Sequence, residues 1–177
     1  MIAGKTFDEF MTQVGAHRDK WDRRYLELAK YVAQSWSMDP STKVGAIVVN
    51  HDFQQEFIGY NGFPRGVKDL PERYADRELK YKLVVHAEAN AIRKAGQLAR
   101  GASLYVWPSF SLPPVCNECA KLVIQAGIKE VVGYEPDLTD LRVQRWLESI
   151  SISKTMCEEA GVTWRVLKEV AAQSKIG

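Results

Sequence analysis

Two short stretches bring together residue types that can do chemistry: His86-Ala87-Glu88 and Cys116-Asn117-Glu118-Cys119. Each falls at the start of a segment patterned as a helix. At a helix N-terminus, Cys116 and Cys119 stand one turn apart on one face and can both reach a single ion. The unpaired N–H groups and the helix dipole there favour the thiolate form that binds metal. One imidazole and two thiolates make a borderline-soft donor set suited to Zn²⁺. Three protein ligands leave a fourth tetrahedral position open, as in catalytic zinc sites. Glu88 lies two residues beyond His86 and is not needed as a ligand. Its carboxylate can accept a proton from water acidified by the metal and return protons to a reacting nitrogen and a leaving group.

Two other uses of the same residues are weaker. A thioredoxin-type Cys-x-x-Cys redox pair leaves His86 and Glu88 without a role. A structural zinc site needs a fourth protein ligand. His17, His51 and Cys157 are the only other histidines and cysteines, and none has ligand spacing to the cluster. Cys157, beside Met156, reads as a small core residue, and His17 and His51 as solvated loop residues.

The elements that must position these side chains follow from periodicity. Residues 1–20 are polar and weakly patterned and read as a loosely packed N-terminal extension, with a single catalytic domain over 21–177. Trp21, Tyr25, Leu28, Val32 and Trp36 form the stripe of an amphipathic helix that stops before Asp39-Pro40. Val44–Val49 suits a buried strand, and the turn at Asn50-His51-Asp52 leads to a second strand over 56–60, predicting an antiparallel hairpin. The charge-dense segment 61–82 reads as loop. Then come a helix over 84–94, a strand over 102–107, a helix over 117–126 stopped by Gly127, a strand over 129–133, a helix over 141–159 and a strand over 162–167. Strands joined through packed helices run parallel. The expected fold class is α/β: a three-layer α/β/α sandwich around a five-stranded mixed sheet.

Composition narrows the partners. The 177 residues carry 24 Lys+Arg and 22 Asp+Glu, a formal net charge of +2. A surface that tracks a nucleic-acid backbone carries a clearer basic excess, so no nucleic-acid partner is expected, whereas a small phosphorylated ligand needs only a few placed cations. No apolar run approaches the roughly 18 residues of a membrane span. The first residues lack the apolar core of a signal peptide, and the cysteines make no disulfide framework, so the expected location is the cytoplasm.

A His-x-Glu followed by Cys-x-x-Cys is the pattern of zinc-dependent nucleobase deaminases, which remove an exocyclic amine by hydrolysis. From about Trp21 to about Val166 the chain resembles the deoxycytidylate deaminase branch of the cytidine deaminase superfamily, with a cytidine deaminase-like fold. The resemblance is carried by Asp39-Pro-Ser-Thr-Lys-Val-Gly-Ala46, Gly59-Tyr-Asn-Gly-Phe-Pro-Arg-Gly66, Val85-His-Ala-Glu-Ala-Asn-Ala-Ile92 and the stretch from Cys116 to Ile128. The last two carry the zinc chemistry, and the first two are the more specific to the branch. The resemblance implies hydrolysis of dCMP to dUMP and ammonia, supplying thymidylate synthesis. It also implies a homohexamer activated by dCTP and inhibited by dTTP with Mg²⁺. It departs at one place. The family carries proline directly before the first cysteine, whereas here Pro113-Pro114 is followed by Val115. The loop over 107–115 therefore reads as longer and reshaped. Some relatives hold a second, structural zinc, but no suitable ligands stand here before His86, so one Zn²⁺ per subunit is expected.

For substrate, the candidates are Lys43, Asn61, Ala87 and Tyr134. Tyr134 is included because ligands of open α/β sheets gather at the carboxyl ends of strands. A 5′-phosphate needs cations, and Arg65, Lys68, Arg73, Arg77, Lys80 and Lys82 are further basic residues in reach of the same region. For a regulatory nucleotide, the resemblance points to Gly59, Tyr60, Asn61 and Arg65. Alternatives remain: another cytosine nucleoside or nucleotide, an adenosine in tRNA, or a nucleotide sensor without catalysis.

Overall fold

A computed structural model describes residues 6–144 and 146–169. A long helix α1 (Phe7–Trp36) leads to a hairpin of β1 (Gly45–Asn50) and β2 (Gln55–Tyr60). Two short helices follow, α2 (Pro71–Ala75) and α3 (Arg77–Leu83), then α4 (Ala87–Ala95), β3 (Ser103–Trp107), α5 (Asn117–Ala126) and β4 (Glu130–Tyr134). The described chain closes with α6 (Leu141–Gln144), α7 (Leu147–Ala160) and β5 (Thr163–Leu167). The sheet order is β2-β1-β3-β4-β5. β1 runs antiparallel to both β2 and β3, while β3, β4 and β5 run parallel. The expected mixed five-stranded sheet between helical layers is what forms.

Side-chain alternation divides the core in two. Ala46, Val48, Leu104, Val106 and Val131 pack under α4 and α5 with Ala87, Ala91, Cys119, Ala120 and Val123. Ile47, Val49, Tyr105, Val132 and Tyr134 face α1 through Leu26, Ala29 and Val32. Glycines let the helices lie directly on the sheet. A Cβ at Gly45 would overlap the carbonyl oxygen of Ala29 in α1, and one at Gly59 would overlap that of Ala87 in α4. Beneath α1, Arg165 joins Asp22 at 2.6 Å and Glu130 at 3.0 Å, both carboxylates being buried. The Tyr105 hydroxyl donates to Asp22 at 2.8 Å.

Four expectations need correction. The first helix begins at Phe7, not Trp21, so the division expected at residue 20 falls inside a helix. A capping box starts it, with the Thr6 hydroxyl on the Glu9 amide and the Glu9 carboxylate on the Thr6 amide. The first half shows no strong stripe because its described side chains are mostly exposed, His17 among them, while Arg18 reaches down to Glu130 at 2.6 Å. The 61–82 loop contains α2 and α3, started by Pro71 at N1 and by the Asp76 side chain accepting from the Leu79 amide. The next helix begins at Ala87 rather than Val84, because Val85 is extended into a bridge with Gly62. The helix expected over 141–159 is two, interrupted at Trp146, whose backbone is not helical. Residues 170–177 of the expected domain lie outside the described residues. No described helix is long and apolar enough to cross a membrane.

Candidate active site

The two chemical motifs meet because each sits at a helix start, and the two helices pack side by side under the same sheet face. His86 is the N-cap residue of α4, and Cys116 is that of α5. The Cys116 sulfur accepts from the Cys119 amide at 3.5 Å. This is a capping contact that draws both thiols toward one point. The His86 Nδ1 lies 3.5 Å from the Cys116 Sγ and 3.3 Å from the Cys119 Sγ. All three candidate ligand atoms fall within 4.8 Å of one another.

The donor set fits zinc chemically as well as spatially. Among the protein groups alone, the Cys116 thiol is pulled down to about 4, first by a hydrogen bond from Cys119, with burial opposing and His86 assisting. His86 is raised to about 9 by that same contact with Cys116, against burial. Cys119 is pushed well above the ordinary thiol value by its hydrogen bond to the Cys116 thiolate and by burial. Cys116 is thus the thiol favoured to ionise, the form a metal requires, and metal binding would displace the protons of the set. Glu88, in the first turn of α4, is 6% exposed. Burial raises its carboxyl above the ordinary value, against the pull of His86. A carboxyl poised upward in this way serves both as proton acceptor and as donor.

These groups open into a cavity of about 680 Å³ that also takes in the carboxyl end of β3 at Val106 and Pro108. One wall is the loop before Cys116, with Phe110, Ser111 and Pro114. It is fastened by the Ser153 hydroxyl, which donates to the Val115 carbonyl at 2.9 Å. Asp39, Ser41 and Thr42 line the cavity too, with Tyr74 and Lys80. There the buried Asp39 carboxylate accepts from the Ser41 and Thr42 amides at 2.9 and 3.0 Å and pairs with buried Lys80 at 3.1 Å.

The other expected residues divide. Ala87 and Asn61 line the cavity. The Asn61 amide oxygen accepts from the Val44 amide at 2.8 Å and the Ser37 hydroxyl at 2.7 Å, and its nitrogen donates to the Thr42 carbonyl at 2.7 Å. Asn61 thus mainly holds the 37–44 segment in place and keeps one N–H for a ligand. Tyr134 is a correction. Strand alternation turns it to the α1 face, where it is buried and its hydroxyl donates to Glu27 at 2.9 Å. Lys43 points away, its ammonium donating to the Gln34 carbonyl at 3.2 Å. Gly59 is buried against α4, and the Tyr60 ring packs edge-on to Trp36. Arg65 is exposed and does not line the cavity. Sequence reasoning missed Asp39, Tyr74, Tyr81 and Trp146 as cavity residues. A buried aspartate beside Pro40 was a legible hint, but the aromatic wall comes from three separate segments and left no local signal.

The chain matches the family model for the cytidine and deoxycytidylate deaminase zinc-binding region over residues 19–135. It is 42% identical over 152 residues to the deoxycytidylate deaminase of Mus musculus, covering 82% of this chain and 79% of that one. It is 40% identical over 147 residues to an uncharacterized deaminase in the luxG 3′ region of Aliivibrio fischeri, covering 82% of this chain and 93% of that one. The crystal structure of the dCMP deaminase from cyanophage S-TIM5 in complex with dCMP and dUMP is similar with a TM-score of 0.59 at 25% identity, over 84% of this chain and 97% of that one. The fold is thus shared with a dCMP deaminase, and with the family model covering residues 19–135 the chain belongs to the cytidine and deoxycytidylate deaminases.

Proposed function

We propose that the chain hydrolyses dCMP to dUMP and ammonia, supplying dUMP for thymidylate synthesis. The observation that carries the chemistry is the convergence of His86 Nδ1 and the two sulfurs within 4.8 Å at the edge of a cavity that also holds buried Glu88. The monophosphate follows from the similarity to the mouse deoxycytidylate deaminase. His86, Cys116 and Cys119 would hold the zinc. Bound there, zinc supplies a Lewis acid that makes water nucleophilic near neutral pH.

The protein's own groups do the rest. Glu88 accepts a proton as the water oxygen bonds to C4 of the cytosine, and gives a proton to the ring nitrogen N3. It then carries the next proton to the exocyclic amine, the C4–N bond breaks, and ammonia leaves a carbonyl behind. The walls hold the ring and exclude water, and Asn61 offers its remaining N–H.

The regulatory reading is that dCTP activates and dTTP with Mg²⁺ inhibits, within a cytoplasmic homohexamer, through the end of β2 at Tyr60 and Asn61 and the following Arg65. With Gly59 covered by α4, those three residues carry this reading. Turnover of dCMP, CMP, dCTP, cytidine and deoxycytidine, followed by loss of cytosine absorbance, tests the substrate, and dCMP is expected to lead. Faster turnover of deoxycytidine than of dCMP refutes the monophosphate assignment. Rates with added dCTP, or dTTP and Mg²⁺, test the regulation.

A further inference from the structure

We propose that Arg77, the first residue of α3, selects a 5′-phosphorylated nucleotide over the free nucleoside. The inference rests on the nucleotide-deaminase reading of the cavity. Glu88 stands on the lining with the candidate ligands His86 and Cys116, and the cytosine amine that reacts has to reach them. The uncharged base must enter first and leave the anionic tail toward a cation elsewhere on the lining. Apart from His86, the cationic side chains lining the cavity among the described residues are Arg77 and Lys80.

Lys80 is already committed. It is 5% exposed, its ammonium lies 3.1 Å from an Asp39 oxygen, and it donates to the Ser41 hydroxyl at 2.8 Å. A phosphate dianion drawn to Lys80 would have to approach the Asp39 carboxylate in a water-poor place, where repulsion offsets the gain. Arg77 differs in each respect. Its side chain is exposed, and its guanidinium lies 5.3 Å from the centroid of the Tyr81 ring, which also lines the cavity. Contact with the ring face leaves the in-plane N–H fork free for the bidentate geometry a phosphate accepts. The other basic candidates, Lys43, Arg65, Lys68, Arg73 and Lys82, do not line the cavity.

The test compares kcat/KM for dCMP and deoxycytidine in the wild type, Arg77→Gln and Arg77→Lys. A charged hydrogen bond of this kind corresponds to roughly 10- to 100-fold. Arg77→Gln is therefore expected to lose about that factor on dCMP and to stay within about twofold on deoxycytidine, with Arg77→Lys recovering part of the loss. Deoxycytidine turnover also serves as the folding control. Inhibition by dUMP against deoxyuridine reads the same preference without turnover of the nucleoside, and only dUMP should weaken. A wild type that prefers dCMP, with that preference unchanged in Arg77→Gln, overturns the assignment of Arg77 alone. A wild type that treats dCMP and deoxycytidine alike overturns both this assignment and the monophosphate reading.

Discussion

Glu88 and Asp39 are both buried carboxylates, yet their surroundings push them in opposite directions. Glu88 is raised by burial beside the ligand cluster. Glu88→Ala is expected to keep its zinc and lose roughly 10²- to 10⁴-fold in kcat, the range for removing a positioned proton carrier. Metal analysis decides the role, since a variant that has lost its zinc would make Glu88 a ligand. At Asp39, burial pushes the carboxyl up, but the Ser41 and Thr42 amides and the Lys80 ammonium outweigh it and hold it below the ordinary value. A depressed folded-state value contributes stability that is fully present above the unfolded value of about 4 and is lost as pH falls through the folded one. Asp39→Asn should therefore be less stable than the wild type at pH 7, and the gap should shrink below about pH 4. Urea midpoints at pH 7 and pH 3.5 measure it, and a gap that widens in acid contradicts the ion pair.

At the scale of elements, the site depends on how closely α4 lies on β2. A Cβ at Gly59 would overlap the Ala87 carbonyl oxygen and crowd the Ala91 amide, both in the helix that carries Glu88. Gly59→Ala is expected to cost about 1–3 kcal/mol, the range for overpacking, and to lower kcat as well by displacing the first turn of α4. Thermal unfolding and turnover on one preparation check both effects, and unchanged activity would mean that α4 has not moved. The same packing explains what the sequence could reveal. His86-x-Glu88 and Cys116-x-x-Cys119 have spacings that are local properties of a helix start, so the cluster was readable before any fold. The strands were readable from apolar runs such as Val44–Val49. Tyr134 was misplaced because one position along a strand exchanges the two faces, and its strand is buried on both. α2 and α3 span 5 and 7 residues, too short to establish an apolar period, and their polar faces read as loop. The first half of α1 hid in the same way, its start marked only by Thr6 and Glu9.

For the whole molecule, the metal should be a structural asset as well as a chemical one. His86, Cys116 and Cys119 as its ligands would tie α4 to α5, and an ion that binds only the folded chain stabilises it by mass action. Dialysis against a strong chelator is expected to abolish turnover and lower the unfolding midpoint, with both restored by added zinc. A chelated protein with full activity and an unchanged midpoint would remove the metal from the account. The central place of β3 has a further consequence. It is seated between β1 and β4, and it lies in the chain between His86 and Cys116. The chain through Cys119 therefore contains every ligand, yet it leaves one side of β3 without its partner strand. During synthesis or refolding, tight zinc retention should thus come late, after β4 has closed over β3, and metal uptake becomes a clock for completion of the sheet.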